Sequence, residues 1–176
     1  MKLVIVVPCF NAQKNLEQLV ESVISQTDER WELVMIDDMS EDDTVEVIKS
    51  LSKRDERISF VVNKEKKYAL KNIVTESRKH QEDSDVVIGV IDGDDSLCNQ
   101  DTVALVLSEY ETGADVVWTG HRWDINDLNI SKHIPANVNP YQWEWCSSHF
   151  RTFRCSLLKE ISYKNFLDYK GNWFKR

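Results

Sequence analysis

Over the first two thirds of the chain, short continuous apolar runs alternate with segments whose apolar residues recur every three or four positions. "KLVIVV" (2–7) is a β-branched run with no polar face. That is the pattern of a strand buried on both sides, and Pro8 ends it. Leu16, Leu19, Val20, Val23 and Ile24 then recur at helical spacing, which predicts a helix over 14–26 with one apolar stripe. "WELVMID" (31–37) reads as a second strand. "SEDDTVEVIKSLSK" offers a helix cap at Ser40 or Asp42, acids in the first turn and lysines later. "RISFVV" (57–62) is a third predicted strand, and 67–80 a helix through Leu70, Ile73, Val74 and Ser77. A fourth strand, "DVVIGVID" (85–92), a helix over 102–110 and a fifth strand, "ADVVW" (114–118), complete the series.

Alternating strands and helices with short connections predict an α/β fold, a mostly parallel sheet with helices on both faces. Ligands of such sheets bind beyond the carboxyl ends of the strands. After Trp118 the alternation stops. "GHRWDINDLNISKHIPANVNPYQWEW" has mixed polarity and two prolines, and predicts loops or short antiparallel strands. Helical spacing returns over 147–161 through Phe150, Phe153, Leu157 and Ile161. The expected organisation is a core over 1–118 and a mixed segment over 119–176, within one structural domain.

Composition narrows the function classes. The chain has 176 residues, enough for one domain with a substantial core. Its 22 Lys and Arg against 30 Asp and Glu give a net charge of −8, which argues against a broad nucleic-acid or anionic-membrane surface. No apolar run is long enough to span a bilayer, and "KLVIVV" is too short for a signal sequence. Cys9, Cys98, Cys146 and Cys155 are scattered, with no CxxC pair. They read as reduced thiols of a cytoplasmic protein, neither a disulfide framework nor a zinc site. Five of the six tryptophans lie at or after Trp118, so the last third is expected to do something different. The ending "NFLDYKGNWFKR" has no tail-like composition, and the chain is expected to be part of a longer protein.

Three polar clusters fall at predicted strand ends: "PCFN", "DDMS" and "DGDD". Asp92, Asp94 and Asp95 place three carboxylates within four residues. In an isolated turn Gly93 would supply backbone freedom and Asp95 a cap. If Asp92 and Asp94 face one cavity, a hard divalent cation relieves their repulsion and bridges them to a diphosphate. Two carboxylates without a His/Cys set argue against zinc. Asp37 and Asp38 end a strand, where a carboxylate accepts from a nucleobase N–H or a ribose hydroxyl. Neither GxGxxG nor GxxxxGK[ST] occurs, and "PCFNAQ" lacks glycine. With no glycine loop to hold phosphates, a metal has that work to do.

Taken together, the clusters resemble the GT-A glycosyltransferases of family 2, with a Rossmann-like sheet. "VVPCFNAQKNLEQLVESVISQT" is similar to that family's opening, V-I-P-x-[FY]-N followed by a Leu-rich helix. "WELVMIDDMSEDDT" is similar to its E-[IL]-I-[IV]-V-D-D-x-S-x-D-x-T, and "GVIDGDD" to its D-x-D. The likeness covers about Met1 to Trp118, and the joint order of the motifs makes it specific. It implies transfer of a sugar from a nucleoside-diphosphate donor to an acceptor hydroxyl, usually with inversion, helped by Mn²⁺ or Mg²⁺. Pro8, Phe10 and Asn11 then line the nucleotide pocket, and Asp37 and Asp38 lie near base and ribose. Lys71 faces the nucleotide, although "YALKNI" lacks the family's preceding glycine. Asp94 ligates the metal, Asp92 contacts the ribose or shares the metal, Gly93 lies between them, and Asp95 caps the turn.

The catalytic base of such an enzyme is expected in the acceptor half, here 119–176. Candidates are Asp124, Asp127, Glu144 and Asp168, or a residue beyond Arg176. "YQWEWCSSHFRTFR" resembles a signature in a subset of the family. On that basis Arg151 or Arg154 is expected at the diphosphate, His149 at the metal or acceptor, and Trp143 or Trp145 against a sugar face. Expected partners are a donor, with a UDP-sugar favoured because uracil is common in the family, and a glycan or lipid-linked acceptor. The alternative is a related module that binds nucleotide sugar without turning it over. A receiver-type phosphoacceptor domain would carry its acid pair after the first strand, not the second.

Overall fold

A computed structural model describes residues 1–129, 131, 135, 137–139, 142 and 150–175. The elements are β1 (Lys2–Cys9), α1 (Leu16–Ile24), β2 (Trp31–Asp37), α2 (Thr44–Leu51), β3 (Ile58–Val62), α3 (Tyr68–Ser77), β4 (Val86–Val90), α4 (Thr102–Glu111), β5 (Val116–Trp118) and β6 (Arg151–Arg154). Single 3₁₀ turns follow α3 at Arg78–His80 and β6 at Cys155–Lys159 and Tyr163–Phe166.

The six strands form one sheet in the order β3-β2-β1-β4-β6-β5. β1 to β4 are mutually parallel, and β6 is antiparallel to both β4 and β5. The α/β expectation and its mostly parallel sheet therefore hold.

Strand side chains alternate between two cores. Leu3, Ile5, Val7, Leu33 and Met35 meet α1, α2 and α4 on one face. Val4, Val6, Val34, Ile36 and Ile88 meet α3 and the 3₁₀ turn at Cys155 on the other. This two-sided burial is why β1 and β2 read as continuous apolar runs. In α1, Leu16, Leu19, Val20 and Val23 form the buried stripe. Gln26, just past its end, donates to Asn99 O (2.8 Å) and accepts from Val103 N (3.0 Å), tying α1 to the start of α4. The cap expected at Ser40 or Asp42 is corrected: the N-cap residue of α2 is Asp43, without a side-chain cap bond, and Asp42 closes the turn before it by accepting from the Thr44 N–H at 3.1 Å.

The helix expected over 147–161 is corrected. Residues 143–149 lie outside the described set, and 151–154 is strand β6, inserted between β4 and β5. Phe150 and Thr152 face the α4 side, and Phe153 the α3 side. That period of two belongs to a strand. The i, i+3, i+7 spacing of Phe150, Phe153 and Leu157 joins residues of three different local structures. Gly89 on β4 is what admits the Phe150 ring, since a Cβ there would lie 2.7 Å from Phe150 Cε2. The segment after Trp118 thus re-enters the sheet.

Among the described residues, no helix is long and apolar enough to cross a membrane.

Candidate functional site

β1, β2 and β4 end together at one edge of the sheet, and "PCFN", "DDMS" and "DGDD" follow them there. The first two loops bond to each other. The Asn11 N–H donates to Ser40 Oγ (3.0 Å), and Asn11 Oδ1 accepts from the Glu41 N–H (2.8 Å). The Ala12 N–H donates to Thr44 Oγ1 at 2.8 Å, and Gln13 Oε1 accepts from the Asp43 N–H at 2.7 Å. Asn11 lies at φ +53°, a left-handed conformation that Asn tolerates.

Asp37 and Asp38 separate because adjacent residues at a strand end point to opposite faces. Both are buried. Asp37 Oδ2 accepts from the Met39 N–H at 3.1 Å and closes its own turn. Asp38 reaches the loop before α3. It accepts from Asn63 Nδ2, the Lys67 N–H and the Tyr68 N–H, each at 2.8 Å. Burial raises the Asp38 pKa, and the amide donors around it more than reverse this, leaving it below the ordinary carboxylate value. Its carboxylate is therefore committed to the protein. Tyr68 lies at φ +65°, a strained conformation for an aromatic residue. Asp38 is what holds the loop there.

Lys66 completes this corner. Its ammonium lies 2.9 Å from the centroid of the Phe10 ring and donates to Asp38 O at 2.9 Å. Phe10 remains half exposed. Lys71 is half-buried in the first turn of α3, and its ammonium has no hydrogen-bond or ion-pair partner among the described residues.

The "DGDD" loop lies on the other side of "PCFN". Gly93 is pressed against it, since a Cβ there would meet Ala12 Cβ at 3.2 Å and Pro8 O at 3.4 Å. The Asp95 N–H donates to Asp92 O at 3.0 Å. Asp92 is half-buried and Asp94 exposed. Neither carboxylate has a hydrogen bond or ion pair among the described residues. Unpaired carboxylates two residues apart in one loop are the donor type of a divalent cation that keeps several of its waters, and of the two only Asp94 lines the neighbouring cleft.

A cleft of about 720 Å³ opens beside this loop, lined by Asp94, Asp95, Trp123, Asp124, Asp127 and Phe150 among others. Asp127 pairs with Arg122 at 3.2 Å, while Asp124 has no partner among the described residues. Asp168 does not line the cleft. Its Oδ1 accepts from the N–H groups of Lys170 (2.8 Å) and Asn172 (2.9 Å). These bonds, foremost the one from Asn172, lower its pKa.

The register of β6 separates the two arginines. Arg151 pairs with Val90 at the carboxyl end of β4, and Arg154 with Val87 near its start. Arg151 is exposed and unpaired among the described residues. Arg154 donates to Ala114 O (2.8 Å) and Tyr110 O, holding the end of α4. The expectation of Arg154 at a diphosphate is corrected on that geometry. Trp143, Glu144, Trp145 and His149 lie outside the described residues.

The sequence profile described as glycosyl transferase family 2 matches residues 4–166. The chain belongs to this family. The GalNAc(5)-diNAcBac-PP-undecaprenol β-1,3-glucosyltransferase of Campylobacter jejuni is 40% identical over 62 residues, 35% of this chain and 20% of that relative. Staphylococcus aureus TarS in complex with UDP superposes with a TM-score of 0.68 at 18% identity, covering 91% of this chain and 48% of that one. The mannosyltransferase PcManGT of Pyrobaculum calidifontis, in complex with GDP-Man and Mn²⁺, gives a TM-score of 0.67 at 14% identity, covering 90% and 46%. These solved structures share the GT-A fold expected from the sequence. This family 2 chain spans a fifth of the first relative and about half of the two structures.

Sequence reasoning missed Asn63, Lys66 and Tyr68. The signal was present as four lysines within 64–71, "KEKKYALK", in a chain of net charge −8.

Proposed function

We propose that the chain transfers a sugar from a nucleoside-diphosphate donor to an acceptor hydroxyl, with inversion and with help from a divalent cation. The observation that carries this is the uncompensated pair Asp92 and Asp94 at the end of β4. The complexes of structural neighbours with UDP, and with GDP-Man and Mn²⁺, support it. The scattered cysteines, with no CxxC pair, suit a reducing cytoplasm as the setting.

Asp92 and Asp94 would hold the Mn²⁺ or Mg²⁺. When bound, the cation neutralises charge developing on the departing diphosphate. Arg151, on the strand next to β4, adds a second positive charge on the leaving-group side. The half-exposed Phe10 ring offers a stacking surface for the base. The Asn11 side chain locks its own loop to the "DDMS" loop and so fixes that surface. Inversion requires the acceptor oxygen to attack from the face opposite the diphosphate, and a carboxylate there to take its proton. The cleft lies beside Asp94, and Asp124 is its unpaired acid among the candidates described.

Titration calorimetry with UDP, with and without Mn²⁺, tests the site. Asp94 is exposed, so Asp94→Asn keeps the fold. The variant is expected to lose the metal-dependent part of the affinity, tenfold or more on the order-of-magnitude scale of a charge-assisted contact. Equal metal dependence in wild type and variant would refute the site. Release of UDP from a UDP-sugar on adding an acceptor separates turnover from binding alone.

A further inference from the structure

The "DGDD" loop has no regular structure of its own. Between the end of β4 at Val90 and the start of α4 at Thr102 the chain forms no helix or strand. Carboxylates that hold a cation must be fixed by groups behind them. Resting on the metal site proposed above, we infer that one edge of α1 does this. Ser22 and Gln26 are positioning residues that hold the loop in the shape that loads the cation.

Spacing and bonds point the same way. Gln18, Ser22 and Gln26 recur every four positions, which sets them in one row along α1 and just past its end. Their partners follow the loop in step. Gln18 Nε2 donates to Ser96 Oγ at 3.3 Å. Ser22 Oγ accepts from the Leu97 N–H at 3.0 Å, and Gln26 Nε2 donates to Asn99 O at 2.8 Å. The Thr27 N–H extends the row by donating to Gln100 O at 2.9 Å. On its other side Asp94 follows Gly93, which is pressed on Ala12 in the turn leading into α1. Asp94 is thus held between two attachments to the same helix and its lead-in.

Gln26 is the central member of the row. It is 6% exposed, although its partner Asn99 is exposed. A primary amide both donates and accepts. Gln26 Nε2 also donates to Ser22 O at 2.9 Å, and Gln26 Oε1 accepts from the Val103 N–H at 3.0 Å in the first turn of α4. One side chain therefore joins helix, loop and helix. Met in its place keeps the length and restores neither bond. The Val103 N–H and Asn99 O then find water only if the loop moves outward, and the loop carries Asp94 with it.

The test is calorimetric titration of UDP into the whole chain, with and without Mn²⁺, for wild type, Gln26→Met and Ser22→Ala. Circular dichroism fixes a temperature at which each is folded. Ile58→Val is the control. Ile58 is buried on β3, at the far edge of the sheet, so losing a methyl there lowers stability without reaching the loop. Wild type is expected to gain affinity when Mn²⁺ is added. Gln26→Met is expected to lose about fivefold of that gain, the scale of one hydrogen bond, with its metal-free affinity unchanged. Ser22→Ala shifts the same way by less, and decides alone where Gln26→Met does not fold. Ile58→Val keeps the whole gain. An undiminished gain in the variants that fold, including an equal drop with and without metal, overturns the inference and leaves the metal site standing. So does an equal loss in Ile58→Val. No Mn²⁺ gain in wild type sinks the metal site, and the inference with it.

Discussion

At the scale of the residue, Asp38 shows how one carboxylate organises a loop. It gathers donors from Asn63, Lys67 and Tyr68, and with them it holds Tyr68 in a left-handed conformation. Without the acceptor, three buried or half-buried donors lose their partner and the strain at Tyr68 has nothing opposing it. Asp38→Asn keeps the shape but sets an amide NH₂ against those donors. It is expected to cost about 2–3 kcal/mol in urea unfolding at pH 7. The pKa of Asp38 is lowered in the folded protein. Its stabilising contribution is therefore complete above the unfolded carboxylate value, near about 4, and is lost as pH falls through the lower folded value. The gap in stability between wild type and Asp38→Asn should narrow on acidification below about pH 4. A gap that stays constant down to pH 2 would show that the charge of Asp38 contributes nothing.

At the scale of the element, β6 is what the sequence concealed. β1, β2 and β4 were legible because burial on both faces forces continuous apolar runs, and β2 was predicted at 31–37, as found. Four residues, "RTFR", are too few for periodicity to separate strand from helix. Their neighbours Phe150, Phe153 and Leu157 imitate a helical stripe. The place of β6 between β4 and β5 depends on pairing across more than 60 positions of chain from Val87–Val90 to Arg151–Arg154, about which local pattern says nothing. The site was legible to the same extent. Pro8, Asn11, Asp37 and Asp94 stand at strand ends, where residue type alone suggests a role. The roles of Lys66 and Tyr68 follow from the direction of the Asp38 side chain, a three-dimensional fact.

β6 is secured by a buried hydroxyl chain. Tyr110 Oη and Thr152 Oγ1 lie 2.8 Å apart, Thr152 Oγ1 donates to Val117 O (2.8 Å), and the Val117 N–H donates to Tyr110 Oη (3.1 Å). The three groups link α4, β5 and β6. Thr152→Val and Tyr110→Phe are each expected to destabilise by about 1–2 kcal/mol. The double variant should lose less than the sum, with a coupling of about 1 kcal/mol. Strict additivity in the denaturation cycle would mean that the chain does not act as a unit.

At the scale of the whole molecule, the two cores share one sheet, and each carries a buried thiol. Cys9 ends β1 in the core under α1, α2 and α4; Cys155 follows β6 in the core under α3. Burial pushes the Cys9 thiol up to about 12 and the Cys155 thiol up to about 11, so neither supplies thiolate at neutral pH. Cys98 is exposed beside the "DGDD" loop. Alkylation at pH 8, mapped by peptide mass, should modify Cys98 at once and reach Cys9 and Cys155 only through opening of the fold. Because β1 and β4 contribute side chains to both faces, and β6 joins β4 directly, one face has no means of opening while the other stays closed. Pulsed labelling across a urea series is therefore expected to give Cys9 and Cys155 the same midpoint. A lower midpoint for Cys155 alone would make residues 150–175 a separately opening unit, and the cleft lined by Phe150 would then be assembled by a segment that docks after the parallel strands have formed.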